Sequence, residues 1–296
     1  MHFPHLCYNK TKSISKKRGS PMLETKTIGF IGAGNMATAI IGGLTTSGLV
    51  SPSQVLVSNR THAKALALQE KYGVQALADN GAVAKAADIL ILAVKPFQYP
   101  QVIQENKDQI RPETLVVSIA AGPTIAQIEA MFGRSVKLAR TMPNTPSLVG
   151  EGMTAIIPNA NLCDVETSAI QAIFNSCGKT EIIPESLMDS CIAVSGSSPA
   201  YVYLFIEAMA DAAVLQGMPR QQAYRFASQA VLGAAKMVLE TGSHPGALKD
   251  AVCSPGGTTI EAVAALEQNG FRASVINAMN ACAEKSRAMA KKEDKS

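Results

Sequence analysis

The sequence predicts an α/β chain in which a doubly wound parallel sheet is followed by an all-α domain. Three observations carry that expectation. Short, almost wholly apolar strands alternate with helical segments from Thr27 to about Ala139, the pattern of strands buried on both faces. A glycine-rich turn at Gly32–Asn35 separates the first strand from the first helix. After about Pro184 the strand patterns stop, and helical segments punctuated by Gly and Pro remain.

The first segment, residues 1–25, reads as a basic extension. Residues 1–21 carry Lys10, Lys12, Lys16, Lys17 and Arg18 with no acid, and without those five the formal net charge falls from +4 to −1. A nearly neutral body gives no electrostatic support to a nucleic-acid or anionic-membrane function. The extension lacks the apolar core of a secretory signal and faintly resembles an organelle transit peptide. The plainer reading is a disordered tail or an upstream start, since Met22 lies five residues before the first strand.

Residues 26–184 form the sheet domain. Its first strand is TIGFI (27–31), and from Asn35 the residues Met36, Ile40, Ile41 and Leu44 recur at helical spacing. Gly32, Gly34 and Ala37 therefore fall at a strand-to-helix turn, where the dinucleotide fingerprint needs them. Gly32 allows the tight turn, Gly34 lets the backbone approach a pyrophosphate, and Ala37 keeps the helix close to the sheet. The helix N-terminus then holds the anion. This pattern makes the domain Rossmann-type; the alternative is a glycine-rich turn that binds nothing.

The second strand, QVLVS (54–58), runs into Ser58, Asn59 and Arg60, where an NAD enzyme places an acid on the adenine ribose. No Asp or Glu occurs between Thr25 and Gln69. Without that acid a 2′-phosphate is not repelled, and Arg60 supplies a planar cation suited to it, so NADPH is expected over NADH, which remains usable. A surface residue at a helix start is the alternative for Arg60. The strand DILILAV (88–94) puts Ala93, Lys95 and Pro96 at the carboxyl edge where cofactors bind, although a solvated lysine would fit there too. TLVVSIA (114–120) and SVKLAR (135–140) lead into SIAAG (118–122) and RTMPNTP (140–146), expected to line the same crevice. TAIIP (154–158) and KTEIIP (179–184) enclose a helical stretch and extend the sheet.

Residues 185–296 form the helical domain. Ser198 and Pro199 read as an N-cap and first turn, Gly217 and Pro219 as a stop and restart, and Gly242 and Asn269–Gly270 as further breaks. Ala200–Glu240 holds six charged residues in 41, too few for helices covered on one side only. A second copy of the chain, in an isologous homodimer, is the simplest cover; burial against the sheet domain is the alternative. The most apolar run, Ala200–Met218, is broken by Glu207 and Asp211, so no membrane-spanning helix is expected.

CSPGGTTIEAVAALE (253–267) is a turn opening a helix, with unpaired backbone N–H groups and hydroxyls but no basic side chain. Ser254, Gly257, Thr258 and Thr259 make it a candidate carboxylate or phosphate site; an ordinary capped helix is the alternative. The six cysteines occur singly and the four histidines are scattered, so no metal site is expected and a reducing cytoplasm fits best. No Lys occurs from Thr180 to Ala235, the region where a hydroxyacid dehydrogenase would hold a catalytic lysine. A hydride-transfer enzyme without a strong acid or base suits a protonated imine, which needs no further proton on its nitrogen.

FIGAGNM, AVKP, SIAAG, MPNTP, SGSSPAY, HPGALKD and SPGGTT, in that order from residue 27 to 290, resemble the pyrroline-5-carboxylate reductase family. The resemblance implies reduction of 1-pyrroline-5-carboxylate to L-proline with NAD(P)H, the last step of proline biosynthesis. It also implies a Rossmann domain followed by a helical domain that interlocks two subunits, with dimers that often assemble into decamers. By resemblance, Gly32, Gly34, Asn35, Met36, Asn59, Arg60 and Lys95 bind the cofactor. Ser254, Gly257, Thr258 and Thr259 form the substrate-carboxylate loop, with Thr259 expected to act on the ring nitrogen. The family usually has Gly where Ser198 stands, and Thr or Ser where Cys253 stands. Another imine or hydroxyacid reductase of this fold, or an NADPH-binding regulatory protein, are the competing readings.

Overall fold

The structure, a computed structural model, describes residues 21–293. It divides into two compact units. The first comprises the described chain up to Ala120 together with Ile125–Pro143 and Ser147–Ile182; the second comprises Ala121–Thr124, Asn144–Pro146 and the chain from Ile183. Residues 1–20 of the expected basic extension lie outside the described residues. Its last part is ordered: Leu23 is buried in the first unit's core, and the Gln54 amide donates to the carbonyls of Leu23, Glu24 and Lys26.

In the first unit the chain runs β1 (Ile28–Ile31), α1 (Asn35–Thr46), β2 (Val55–Ser58), α2 (His62–Tyr72), β3 (Gln75–Ala76), α3 (Asn80–Ala86), β4 (Ile89–Leu92) and α4 (Tyr99–Asn106). It continues with β5 (Leu115–Ser118), α5 (Ile125–Phe132), β6 (Lys137–Met142), β7 (Gly152–Pro158), α6 (Asp164–Asn175) and β8 (Gly178–Ile182). One sheet takes the order β3-β2-β1-β4-β5-β6-β7-β8. Every residue of β1, β2, β4 and β5 is buried, and successive side chains go to opposite faces. Ile28, Phe30, Val55, Val57, Ile89 and Ile91 meet Ile40, Leu44 and Phe174 from α1 and α6 on one face. Ile31, Leu56, Leu90, Leu92 and Val116 meet Val83, Tyr99, Ile103 and Ile128 from α3, α4 and α5 on the other. Strands this apolar are possible only because helices cover both faces.

Two features depart from the sequence expectation. The sheet is not wholly parallel: β6 and β7 pair antiparallel, with Arg140 opposite Ile157. The Pro143–Glu151 connection carries only a short 3₁₀ turn at Thr145–Val149, too little chain for the crossover that a parallel neighbour requires. The two-residue edge strand β3 also has no apolar run to announce it.

Tyr99 closes the carboxyl end of this sheet. It is wholly buried, its hydroxyl donates to the Leu92 carbonyl at 2.8 Å and lies 3.0 Å from Ser118 Oγ, and burial pushes its pKa upward.

The second unit is helical: α7 (Met188–Cys191), α8 (Ser198–Leu215), α9 (Arg220–Thr241), α10 (Pro245–Ala251), α11 (Thr258–Gln268) and α12 (Phe271–Glu293). The breaks fall at Gly217, Gly242 and Gly270, each with positive φ. Ser198–Pro199 is not an isolated helix start. A π turn at Ile192–Gly196 joins α7 to α8, the Ser197 N–H reaches back to the Ile192 carbonyl, and Ser198 Oγ donates to the Val194 carbonyl at 2.7 Å. Within α8 only Ala210 is buried, while Leu204, Leu215, Phe226, Leu232 and Leu239 stay exposed on α8 and α9. By length and composition alone the helical stretch Glu185–Leu215 could cross a membrane, the two interrupting acids notwithstanding.

One ion pair fastens α6 to the sheet. Glu166 is 9% exposed, bonds Lys137 Nζ, and accepts the Cys163 N–H at 3.0 Å. Burial alone would raise its pKa, but the hydrogen bonds from Lys137 and Cys163 outweigh it and hold the carboxyl below its ordinary value. A carboxyl depressed in the folded state adds stability that is present above its unfolded pKa of about 4.3 and is lost as pH falls through the folded value. Thermal melts of the wild type and Glu166→Gln should therefore differ most near neutrality and converge below about pH 4. Parallel melting curves across that range would exclude the linkage.

Candidate functional site

The β1–α1 turn is fixed by three strand ends. The Gly32 N–H donates to the Ser58 carbonyl at 2.8 Å, the Ala93 N–H to the Ile31 carbonyl at 2.8 Å, and the Ala33 N–H to Asn59 Oδ1 at 3.1 Å. Gly32 has φ 110°, and a Cβ there would lie 2.5 Å from the Ala93 carbonyl oxygen. Both conformation and space demand glycine. Gly34 is different: its φ is −83°, and a Cβ built there meets nothing within 4 Å. The protein itself does not need glycine at Gly34; a ligand pressed against the backbone would.

Gly34 is also the N-cap of α1, with no side-chain cap and no acid in the first turn. The amides of Asn35, Met36 and Ala37 thus begin a helix whose positive end no carboxylate neutralises. Asn35 is exposed and Met36 half-buried against the core. A helix start of this kind, with open space at Gly34, suits an anion such as a pyrophosphate.

Around the turn the expected residues take unequal parts. Ser58 is wholly buried and donates to Asn80 Oδ1 at 2.8 Å, so its side chain supports the sheet edge and its carbonyl supports Gly32. The Asn59 side chain braces the turn, accepting from Ala33 and donating to the Thr61 carbonyl at 3.0 Å. Arg60 is exposed at the end of β2 and forms no ion pair among the described residues. Beyond β4, Ala93 carries the carbonyl that crowds Gly32. Lys95 is exposed, and Pro96 opens a 3₁₀ turn over Pro96–Gln98, closed by Gln98 Oε1 accepting the Lys95 N–H at 3.3 Å.

The two loops expected to line this crevice divide. Ala121–Thr124 and Asn144–Pro146 group with the helical unit, where Asn144 Nδ2 donates to the Ser195 carbonyl at 3.1 Å and meets Ser195 Oγ at 3.3 Å. Nothing in the local sequence announces this bond, because the π turn at Ile192–Gly196 that contains Ser195 has no compositional mark.

In the helical unit, Gly256 turns with φ 64°, the Gly257 N–H returns to the Ser254 carbonyl at 3.0 Å, and α11 begins at Thr258. Gly257 is its N-cap, without a side-chain cap, and a Cβ there would strike Ser254 Oγ at 2.4 Å. Ser254 and Thr258 are exposed, and Thr259 is half-buried. This second helix start presents free N–H groups and hydroxyls to an anion. Among the described residues no group of three His, Cys, Asp or Glu side chains gathers to hold a metal.

A fingerprint turn of this geometry on a doubly wound sheet, in one chain with an all-helical unit, defines a dinucleotide-dependent oxidoreductase. Residues 27–122 match the family model described as NADP oxidoreductase coenzyme F420-dependent, and residues 185–289 match pyrroline-5-carboxylate reductase dimerisation. The chain is 54% identical over 266 residues to the pyrroline-5-carboxylate reductase of Escherichia coli K12, covering 90% of this chain and 99% of that one. It is 43% identical to that of Methanosarcina acetivorans, covering 91% and 100%. Among solved structures, the Coxiella burnetii enzyme superposes with a TM-score of 0.85 at 37% identity, and the Plasmodium falciparum enzyme with NADP bound at 0.82 and 34%; each comparison covers 90% of this chain and 99% of the other. This chain belongs to the pyrroline-5-carboxylate reductase family.

The two fingerprint glycines should separate on substitution. Gly32→Ala forces a side chain into a positive-φ site against backbone and should cost about 2–4 kcal/mol in urea unfolding. Gly34→Ala should stay within about 1 kcal/mol of wild type yet bind NADPH much more weakly by calorimetry. Equal stability losses in the two variants would contradict the assignment of roles.

Proposed function

We propose that this chain reduces 1-pyrroline-5-carboxylate to L-proline with NADPH, the closing step of proline biosynthesis. The observation that carries the reading is the pair of helix starts with a glycine N-cap, one at Gly34 and one at Gly257. One suits a pyrophosphate and the other a small carboxylate. When bound, NADPH supplies the hydride that reduces the C=N bond.

The cofactor takes its place on Gly32, Gly34, Asn35 and Met36, with Asn59 bracing the turn and Ala93, Lys95 and Pro96 forming the β4 side. Arg60 meets the 2′-phosphate. Its exposed guanidinium has no neighbouring acid in sequence from Thr25 to Gln69, which favours NADPH and leaves NADH usable. Ser58 acts through its carbonyl on Gly32.

In the helical unit the N–H groups that open α11, with Ser254 and Thr258, hold the substrate carboxylate. Thr259 Oγ1 hydrogen-bonds the ring nitrogen. No Lys lies between Thr180 and Ala235, so the imine arrives protonated, and positioning rather than acid catalysis supplies the rate.

The exposed apolar side chains of α8 and α9 fall inside the matched dimerisation region, which supports a homodimer; the family resemblance extends this to a pentamer of dimers. Cover by a second copy also gives the apolar Glu185–Leu215 stretch an aqueous explanation. Free cysteines support a cytoplasmic location.

Steady-state oxidation of NADPH by pyrroline-5-carboxylate tests the reading directly, and two variants test its parts. Thr259→Val should lower kcat by tens to hundreds of times, about 1.5–3 kcal/mol for a hydrogen bond to a charged group, while Thr259→Ser keeps most activity. Arg60→Asp should raise the KM for NADPH far more than for NADH, by a similar free energy. Unaltered kinetics in the Val variant would reduce the loop to a carboxylate clamp, and equal effects on the two cofactors would remove Arg60 from phosphate recognition. Light scattering that finds a monomer at micromolar concentration would refute the dimer.

A further inference from the structure

Three phenylalanines of the nucleotide-binding unit, Phe30, Phe132 and Phe174, are at most 2% exposed, whereas Phe97 is 80% exposed. Its place is tightly set. The Ala93 N–H is tied to Ile31 at one end of the segment, and six residues later the buried Tyr99 turns its hydroxyl back onto the Leu92 carbonyl. Between these anchors the chain must rise and return. Pro96 fixes φ in that tip, the Lys95 N–H to Gln98 Oε1 bond closes it, and Phe97 stands at its crest. An aromatic ring held out in water on a rigid turn gains nothing from burial within the described unit.

The strand order supplies the reason for it. β2 and β4 flank β1 on either side, so their carboxyl ends lie about 10 Å apart, two strand spacings, across the fingerprint turn. Arg60 and its neighbours at the β2 end address the ribose phosphate. The base attached to that ribose needs an apolar plane within reach, and the β4 tip offers one.

We infer that Phe97 is the stacking platform for the adenine ring of NADP(H), a residue that positions the adenosine half of the cofactor. The inference rests on the nucleotide-binding reading above but not on the identity of the imine. Stacking on an aromatic face suits any purine and makes the contribution separable from that of the 2′-phosphate contact at Arg60.

The chain contains no tryptophan, so Phe97→Trp introduces a single indole emitter at the crest of the tip. Titration of this variant with adenosine 2′,5′-bisphosphate, which lacks the nicotinamide, should quench the emission, and nicotinamide mononucleotide should not. By calorimetry Phe97→Ala should bind adenosine 2′,5′-bisphosphate roughly tenfold more weakly than wild type, within the range for one base stacked on an aromatic side chain. Phe97→Tyr should bind it like wild type. An unchanged affinity in Phe97→Ala, or quenching by nicotinamide mononucleotide in place of the adenosine fragment, overturns the assignment. Loss of imine turnover with nucleotide binding intact would defeat the reductase reading and leave Phe97 where it stands.

Discussion

Everything at the carboxyl edge of the sheet depends on one close approach, that of Gly32 to the Ala93 carbonyl. The distance available there, 2.5 Å to a would-be Cβ, admits only a hydrogen on the α-carbon, and in exchange the turn is drawn down between β2 and β4. The Ser58 carbonyl and the Asn59 amide then hold it from one side and β4 from the other. With the turn so fixed, α1 has to begin at Asn35 and point its first amides outward. A looser residue at Gly32 would lift the turn, and the amides would no longer converge on one point. Pre-set donors of this kind need no reorganisation when an anion arrives.

The chain uses the same device twice with different supports. At α1 the helix start is braced by neighbouring strands; at α11 the loop braces itself, through the Gly257 N–H to the Ser254 carbonyl and the Ser254 hydroxyl lodged beside Gly257. In both proposed sites the helix start itself offers backbone dipoles to a negative charge. Backbone donors do not titrate, so this part of the proposed anion recognition is independent of pH over the range in which side chains change charge.

Most of this was legible in the sequence because it is written in local pattern. Continuous apolar runs gave the buried strands, and the spacing Gly32–Gly34–Ala37 gave the turn. The glycines at 217, 242 and 270 marked helix ends because each must adopt positive φ. What stayed hidden depends on chain length or on distant partners. The antiparallel β7 follows from a connection too short to cross over, which apolarity cannot report. The side chain of Ser58 looked available because its partner, Asn80, lies 22 residues away. The π turn before α8 is held by Asn144, 51 residues upstream, and no residue within the turn advertises it.

The helical unit finally differs from the sheet unit in where its cohesion resides. The sheet buries Ile, Leu, Val and Phe on both faces and is self-sufficient. Along α8 and α9 the buried side chains are Ala210, Ala223 and Ala227, and alanines remove little apolar surface from water. Such helices have little reason to hold their arrangement in isolation. In the proposed homodimer their order is lent by the covering copy, and by mass action the durability of that half of the molecule becomes a property of the solution, rising and falling with the number of covering surfaces in it.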